Sequence, residues 1–302
     1  MRELPRDPSM ASRRPDWLDV KEYPFRSRFI DTPHGAMHYI DEGAGEVILL
    51  LHGNPTWSFM YRSLIRGLSR HFRCVAPDHI GFGLSDKPFD VSYRPQFHAA
   101  NLERFVEALG LRDITLVLHD WGGPIGVSYA LDHPDNVRRL IVFNTWFWSV
   151  EGNRDVENFS RIVGGPLGRF ACRYLNAFPR FVMPSALGNK ATLGKATHRH
   201  YIKPFPTPKS RKGSWVFPKA IVGESEWLAS LWARRDRLAA KPVQLLWGLK
   251  DPGLGKRGEL ARWQEAFPRH EALTFPEIGH FVPEELGAEA VDPVEAFLQK
   301  AR

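Results

Sequence analysis

The run Leu116-Val117-Leu118-His119-Asp120-Trp121-Gly122-Gly123-Pro124-Ile125-Gly126 constrains this chain more than any other stretch. Ile114 to Leu118 is a largely apolar, β-branched run of the kind that forms a buried strand. It stops at polar residues, and Gly122-Gly123 opens a helical run through Tyr129 and Leu131. A strand that turns sharply into a helix holds one side chain exposed at the tip of a sheet. This is the nucleophile elbow, usually written G-x-S-x-G. Here Asp120 stands in the serine slot, between His119 and Trp121. A carboxylate in that slot points to covalent catalysis through an ester. Asp120 also suits the plainer role of helix N-cap, so the rest of the chain must decide.

The flanking pattern supports a sheet of several strands. Arg26–Thr32 and Ala36–Asp41 alternate as two strands joined at Pro33-His34-Gly35. Glu46–Leu51 is a continuous apolar run, the mark of a strand buried on both faces. It ends at His52-Gly53-Asn54-Pro55-Thr56-Trp57, after which Ser58 to Arg70 reads as a helix. Strand Phe72–Ala76, helix Pro95–Leu109, the elbow strand and its helix Gly122–Leu131, and strand Val137–Phe143 follow. This alternation predicts a mostly parallel sheet with helices on both faces. From Thr145 to about Arg235 the chain turns to aromatics, glycine and proline, and reads as an inserted helical cap. Alternation resumes with strand Pro242–Trp247, a helix near Arg257–Phe267, strand Glu271–Phe275 and a terminal helix over Pro293–Ala301. The expected organisation is an N-terminal arm over 1–24, a core over 25–144 and 236–302, and a cap over 145–235.

In open α/β sheets, ligands bind beyond the carboxyl ends of the strands. The polar residues at those ends are His52-Gly53-Asn54, Asp120-Trp121, Asn144, Asp251 and His280. Their convergence is a prediction of the topology, and it says more than any one motif.

Several other function classes find no support. The net charge of +7 is modest, and Arg211-Lys212 and Arg234-Arg235 are short pairs. Neither a nucleic-acid nor a membrane partner is expected. No apolar stretch is long enough to span a bilayer. Cys74 and Cys172 are the only cysteines. They make no disulfide framework, so a reducing, cytoplasmic setting is expected. No Cys/His spacing suggests zinc. Gly253-Leu254-Gly255-Lys256-Arg257-Gly258 fits G-x-G-x-x-G, but it comes late in the chain and does not open a βαβ unit.

The order nucleophile, acid, histidine is that of the α/β-hydrolases. His52-Gly53-Asn54-Pro55-Thr56-Trp57-Ser58-Phe59-Met60-Tyr61-Arg62, with His119-Asp120-Trp121-Gly122-Gly123 and Gly279-His280, resembles the haloalkane dehalogenases. The resemblance runs from about residue 25 to the C-terminus and is weakest in the cap. It implies an α/β-hydrolase fold with a helical cap and a cofactor-free, metal-free hydrolase that converts haloalkanes and water to a primary alcohol and halide. It also implies roles: Asp120 as nucleophile, His280 as the base that activates water, and Asp251 as the acid that orients His280. Some relatives place the acid after the preceding strand, but Asn144 there cannot carry the charge. The side chains of Asn54 and Trp121 would hold the halide, and their backbone N–H groups would form the oxyanion hole.

Two rivals share this reading. An epoxide hydrolase would use the same aspartate and histidine with two cap tyrosines, for which Tyr174 and Tyr201 are candidates. A non-catalytic ligand receptor would keep the fold alone. Among the cap-region tryptophans, Trp146, Trp148, Trp215, Trp227 and Trp232, most are expected to pack and one or two to line a pocket.

Overall fold

The computed structural model describes residues 14–300. Its frame is an eight-stranded sheet in the order β1-β2-β4-β3-β5-β6-β7-β8. The strands are β1 (Arg28–Thr32), β2 (Gly35–Glu42), β3 (Val47–Leu51), β4 (Arg73–Pro77), β5 (Ile114–Leu118), β6 (Val137–Phe143), β7 (Val243–Gly248) and β8 (His270–Phe275). β2 pairs antiparallel with β1 and β4, and every later pairing is parallel. Most of the expected arm, residues 1–13, lies outside the described residues, as does Ala301 of the expected last helix. Residues 14–24 pack on the domain: Leu18 and Tyr23 are buried, and the Tyr23 hydroxyl meets Ser58 Oγ at 2.6 Å.

The continuous apolar runs of β3 and β5 follow from their central place. Leu49 and Leu51 of β3 join one hydrophobic cluster, with Leu102, Phe105 and Ile125 from the helices Pro95–Ala108 and Gly122–Asp132. Ile48 and Leu50 join the other, with Leu64 and Leu68 of helix Arg62–Leu68 and Phe297 of helix Val291–Lys300. Alternate side chains of one strand thus enter two different cores, so no position on the strand faces water. One charge lies within this packing. The buried Arg139 of β6 donates to Thr115 Oγ1, the Leu298 carbonyl and Glu46 Oε2, tying two strands to the last helix.

Two local expectations change. The helix read over Ser58–Arg70 begins as a tight 3₁₀ turn, Ser58–Tyr61, and becomes α-helical only over Arg62–Leu68. All four turn residues are buried, and Asp78 Oδ1 accepts the Ser58 N–H at 2.9 Å. A segment buried on every side carries no amphipathic 3.6-residue signal. The short helix Val282–Leu286 was not expected, since five residues are too few to show a period.

Between β6 and β7 the described chain contains no strand. It forms the helices Arg154–Val163, Pro166–Phe170, Lys195–Ile202, Lys212–Gly223 and Ser225–Ala233, with π-helical turns at Ala171–Leu175 and Phe178–Val182. This helical cap roofs the carboxyl ends of β3, β5, β6 and β7. No helix among the described residues is long and apolar enough to cross a membrane.

Candidate active site

Asp120 sits at the turn out of β5 with a φ of +49°, a left-handed conformation that costs a non-glycine residue about 1–3 kcal/mol. The surroundings hold it there. Its N–H donates to the Asn144 carbonyl at 3.1 Å, and its carbonyl accepts from Thr145 Oγ1 at 2.5 Å and from the Gly123 N–H at 3.0 Å. The glycines flanking the site answer to space. A Cβ on Gly122 would overlap the Leu51 carbonyl oxygen, and one on Gly53 would overlap the Asp120 carboxylate.

The end of β3 brings Asn54 to the same carboxylate. The Asn54 backbone N–H donates to Asp120 Oδ1 at 2.6 Å. Its side-chain Nδ2 reaches only the Ser214 carbonyl, at 3.5 Å, the outer limit of a hydrogen bond. Its Oδ1 is buried without a partner. Trp121 is 1 % exposed, stacked on Phe217 at 5.2 Å and edge-on to Trp146 at 4.9 Å. Among the described residues its indole N–H meets no protein acceptor, and the side chain lines the cavity beside Asp120.

The third side of the site comes from the ends of β7 and β8. His280 Nδ1 donates to Asp251 Oδ2 at 2.7 Å, while its Nε2 lies 3.4 Å from Asp120 Oδ2. Asp251 is saturated. Its Oδ1 accepts the N–H groups of Gly253 and Leu254 at 2.8 and 2.9 Å, and its Oδ2 also accepts Asn144 Nδ2 at 2.9 Å. The glycine-rich match at Gly253–Gly258 is thus a loop wrapped around a carboxylate. Burial would raise the Asp251 carboxyl, but His280 and these donors bring it down to about 2. For His280, burial would lower the ring, yet Asp251 and Asp120 outweigh it and raise the imidazolium to about 10. Burial likewise opposes ionisation of Asp120, and the adjacent His280 overcomes it, holding the carboxyl below its usual range.

Three side chains take roles that the sequence did not reveal, although Asn144 stood among the polar strand-end residues expected to converge. Asn144 stands where some relatives carry the acid, and here its amide braces Asp251 and clasps both backbone groups of Gly248. His119 Nε2 donates to the His280 carbonyl at 2.9 Å. Glu285 accepts the Gly279 N–H at 2.8 Å and the Asn189 N–H of the cap at 2.9 Å. Each makes at least one bond across about a hundred residues or more, so no local pattern announces it. The cap's amphipathic helix carried a fainter signal, since Val156 and Phe159 face a cavity of about 340 Å³. That cavity is also walled by Trp146, Phe178, Ile221 and Phe281, with Asn54, Asp120, Trp121, Asp251 and His280 at its base. Its size suits a small ligand, and its wall is mostly apolar with a few convergent polar groups.

Of the five cap-region tryptophans, Trp146 reaches the cavity, whereas Trp148 donates to Glu259 Oε2 at 3.0 Å. Neither tyrosine proposed for the epoxide reading does. Tyr174 is 49 % exposed on the outer surface, and Tyr201 is buried with its hydroxyl given to Glu284. No metal-binding group of His, Cys, Asp or Glu occurs among the described residues.

Comparison with known proteins agrees with this geometry. The family model for the α/β hydrolase fold matches residues 46–285. Haloalkane dehalogenase 2 of Mycobacterium tuberculosis is 39 % identical over 269 residues, covering 88 % of this chain and 93 % of that one. A cis-3-alkyl-4-alkyloxetan-2-one decarboxylase of Xanthomonas campestris is 35 % identical over 297 residues, covering 92 % and 97 %. The crystal structure of haloalkane dehalogenase DatA from Agrobacterium tumefaciens superposes with a TM-score of 0.81 at 27 % identity, covering 92 % and 97 %. With an aspartate at its elbow and a capped, mostly parallel sheet, the chain belongs to the α/β-hydrolase-fold family and, within it, to the haloalkane dehalogenases.

Proposed function

We propose that the enzyme hydrolyses small haloalkanes to a primary alcohol and halide through an ester on Asp120, in the core over 25–144 and 236–302, beneath the cap over 145–235. The observation that carries this reading is a single juxtaposition. An ionised Asp120 lies beside two under-used N–H donors, Asn54 Nδ2 and Trp121 Nε1, at the base of an apolar cavity. Asp120 Oδ2 attacks the halogen-bearing carbon in line, forming a carbon–oxygen bond as the carbon–halogen bond breaks. The halide leaves as an anion and takes its hydrogen bonds from the two donors, since indole can donate but not accept. Water then attacks the ester carbonyl carbon, with His280 taking its proton and the backbone N–H groups of Asn54 and Trp121 receiving the developing oxyanion. The water oxygen stays on Asp120, and the alkyl group leaves as an alkoxide that takes up the proton His280 received from the water, giving the alcohol.

The raised affinity of His280 for its proton fits this order. In the free enzyme, two carboxylates hold the ring charged, and the charged ring keeps Asp120 ionised for attack. Esterification removes the Asp120 charge from beside Nε2. The ring then loses one of the anions that hold its proton, so it releases that proton more readily and stands neutral, able to accept one from water in the second step.

Two substitutions separate the roles. Trp121→Phe keeps most of the volume and removes the donor. Its halide release should fall about 10²–10³-fold, as for loss of one oxyanion donor. Chloride or bromide should also lose its quenching of tryptophan fluorescence, and unchanged activity would contradict the assignment. Asp251→Asn removes the strongest charge that holds the His280 proton and orients the ring. Hydrolysis of the ester should slow by about 10²–10⁴-fold, the usual span for general acid–base help. Formation of the ester should change far less, which rapid-quench measurement of halide and alcohol would show.

The test of the reading as a whole is a substrate panel: bromoalkanes, terminal epoxides and a cis-3,4-dialkyl oxetan-2-one. Halide release from the bromoalkanes supports it. Turnover of epoxides alone, or carbon dioxide release from the oxetanone alone, would refute it. The buried, unpaired Cys74 and Cys172 fit the proposed cytoplasmic setting.

A further inference from the structure

The charge of this protein is segregated. Between Glu157 and Glu224 the chain carries twelve Lys or Arg and no Asp or Glu, whereas its other 29 basic residues are outnumbered by all 34 acidic ones. The basic residues are spread through the cap, so no contiguous block marks them. A charge run is commonly just a solvated face, but here a second feature coincides with it. Of the nine large hydrophobic side chains most exposed among the described residues, six lie between residues 162 and 181. They are Ile162, Leu167, Phe170, Tyr174, Leu175 and Phe181, with Leu167 86 % and Phe181 64 % exposed. Isolated exposed leucines need no explanation, but such a concentration marks an interaction surface.

The two features meet over residues 154–182, where the helix Arg154–Val163 and the turns Ala171–Leu175 and Phe178–Val182 pack on one small cluster through Phe159, Cys172 and Phe178. Helix Arg154–Val163 packs against Pro166–Phe170, which runs directly into the turn Ala171–Leu175. The Phe170 and Tyr174 rings lie 4.9 Å apart, and the Arg173 guanidinium sits 5.2 Å from the Tyr174 ring. Lys219 of the neighbouring helix abuts Gly164. Arg161, Arg169, Arg180 and Lys219 are exposed, and among the described residues none of them forms an ion pair. At the edges of the cap, by contrast, Arg94 pairs with Glu224 and Lys256 with Asp155.

An occupant of this face must offer negative charge and an apolar medium together. A nucleic acid offers phosphates but leaves Leu167, Leu175 and Phe181 in water. We propose that the outer face of the cap docks on a bilayer surface rich in anionic lipid, with the arginines among the headgroups and the apolar side chains at the acyl boundary. Docking of this kind needs no spanning helix. The same segment turns Phe159, Phe178 and Val182 inward to the cavity. Docking would therefore set the cavity wall beside the phase in which small apolar molecules concentrate. The docking claim stands independently of the reaction assigned to the cavity.

The test is flotation of the full chain with vesicles of phosphatidylcholine containing about 30 % phosphatidylglycerol, beside pure phosphatidylcholine vesicles, in low and high salt. Binding to the anionic vesicles, weakened by salt, is expected. Arg169→Gln and Arg180→Gln should each weaken it about five-fold, the effect of one basic residue near an anionic surface. Leu167→Asp combined with Phe181→Asp should abolish it. None of these residues lines the cavity, so activity on a water-soluble bromoalkane should persist and report an intact fold. Failure to float at low salt, or flotation unchanged by these substitutions, would overturn the proposal. So would a stable dimer in solution that Leu167→Asp dissociates, since the face would then belong to a second copy of the chain.

Discussion

Replacing His280 with Phe is expected to release about one equivalent of halide per active site and then stop, as covalent intermediates accumulate when only the second step fails. Displacement of halide by Asp120 requires no proton transfer, whereas hydrolysis of the ester requires an activated water. Steady-state turnover should fall by about 10⁴-fold or more, in line with loss of the base from a catalytic triad. The substitution should also change the pH dependence of the burst. In the wild-type protein, His280 counters the effect of burial and lowers the Asp120 carboxyl. Without that cation the largest influence lowering the carboxyl is lost, and the carboxyl rises. Attack requires the ionised form, so the acid limb of the burst should move to higher pH. A variant that turns over steadily, or whose burst keeps the wild-type acid limb, would contradict this account of the pair. Stopped-flow halide detection across pH measures both.

Asp120→Ala should remove halide release altogether, with neither burst nor turnover. The expected loss is about 10⁶-fold, the scale seen when a covalent nucleophile is deleted. Folding should survive, because the carboxylate faces the cavity and the backbone bonds to Asn144, Gly123 and Thr145 that hold the turn remain in the variant. Melting temperature and circular dichroism check the fold while halide electrodes check the chemistry. Residual halide release at the wild-type rate from a pure, folded variant would remove Asp120 from the nucleophile's role.

The sheet was largely legible in the sequence because burial leaves a simple mark. β3 and β5 lie between two hydrophobic cores, so their runs are apolar without alternation, and β5 and β6 fall within the expected bounds. The elbow was legible because a strand end, a single carboxylate and two glycines stand in fixed order. Asp251 and His280 were legible only once the topology placed their loops at the same sheet edge, where they meet at 2.7 Å. The brace around them was not. Asn144 reads in the sequence as an acid that is missing, whereas its amide bonds Asp251 and Gly248 more than a hundred residues away. The cap resisted for another reason. Its short helices and π turns are set by packing and by prolines such as Pro166 and Pro179, so periodicity gives little warning of which residues face the cavity. The segregation of charge makes no local mark either, because twelve basic residues spread over the cap form no contiguous block.

The central claim is that water attacks an ester carried by Asp120 and not the alkyl carbon. Single turnover of a bromoalkane by excess wild-type enzyme in ¹⁸O-water tests it most directly. The account predicts that the alcohol of this first turnover carries ordinary oxygen donated by Asp120. The peptide containing Asp120 should emerge about two mass units heavier, labelled by the water that cleaved the ester. Heavy oxygen in the alcohol and none in the Asp120 peptide would mean that water displaces the halide itself, and would contradict the account.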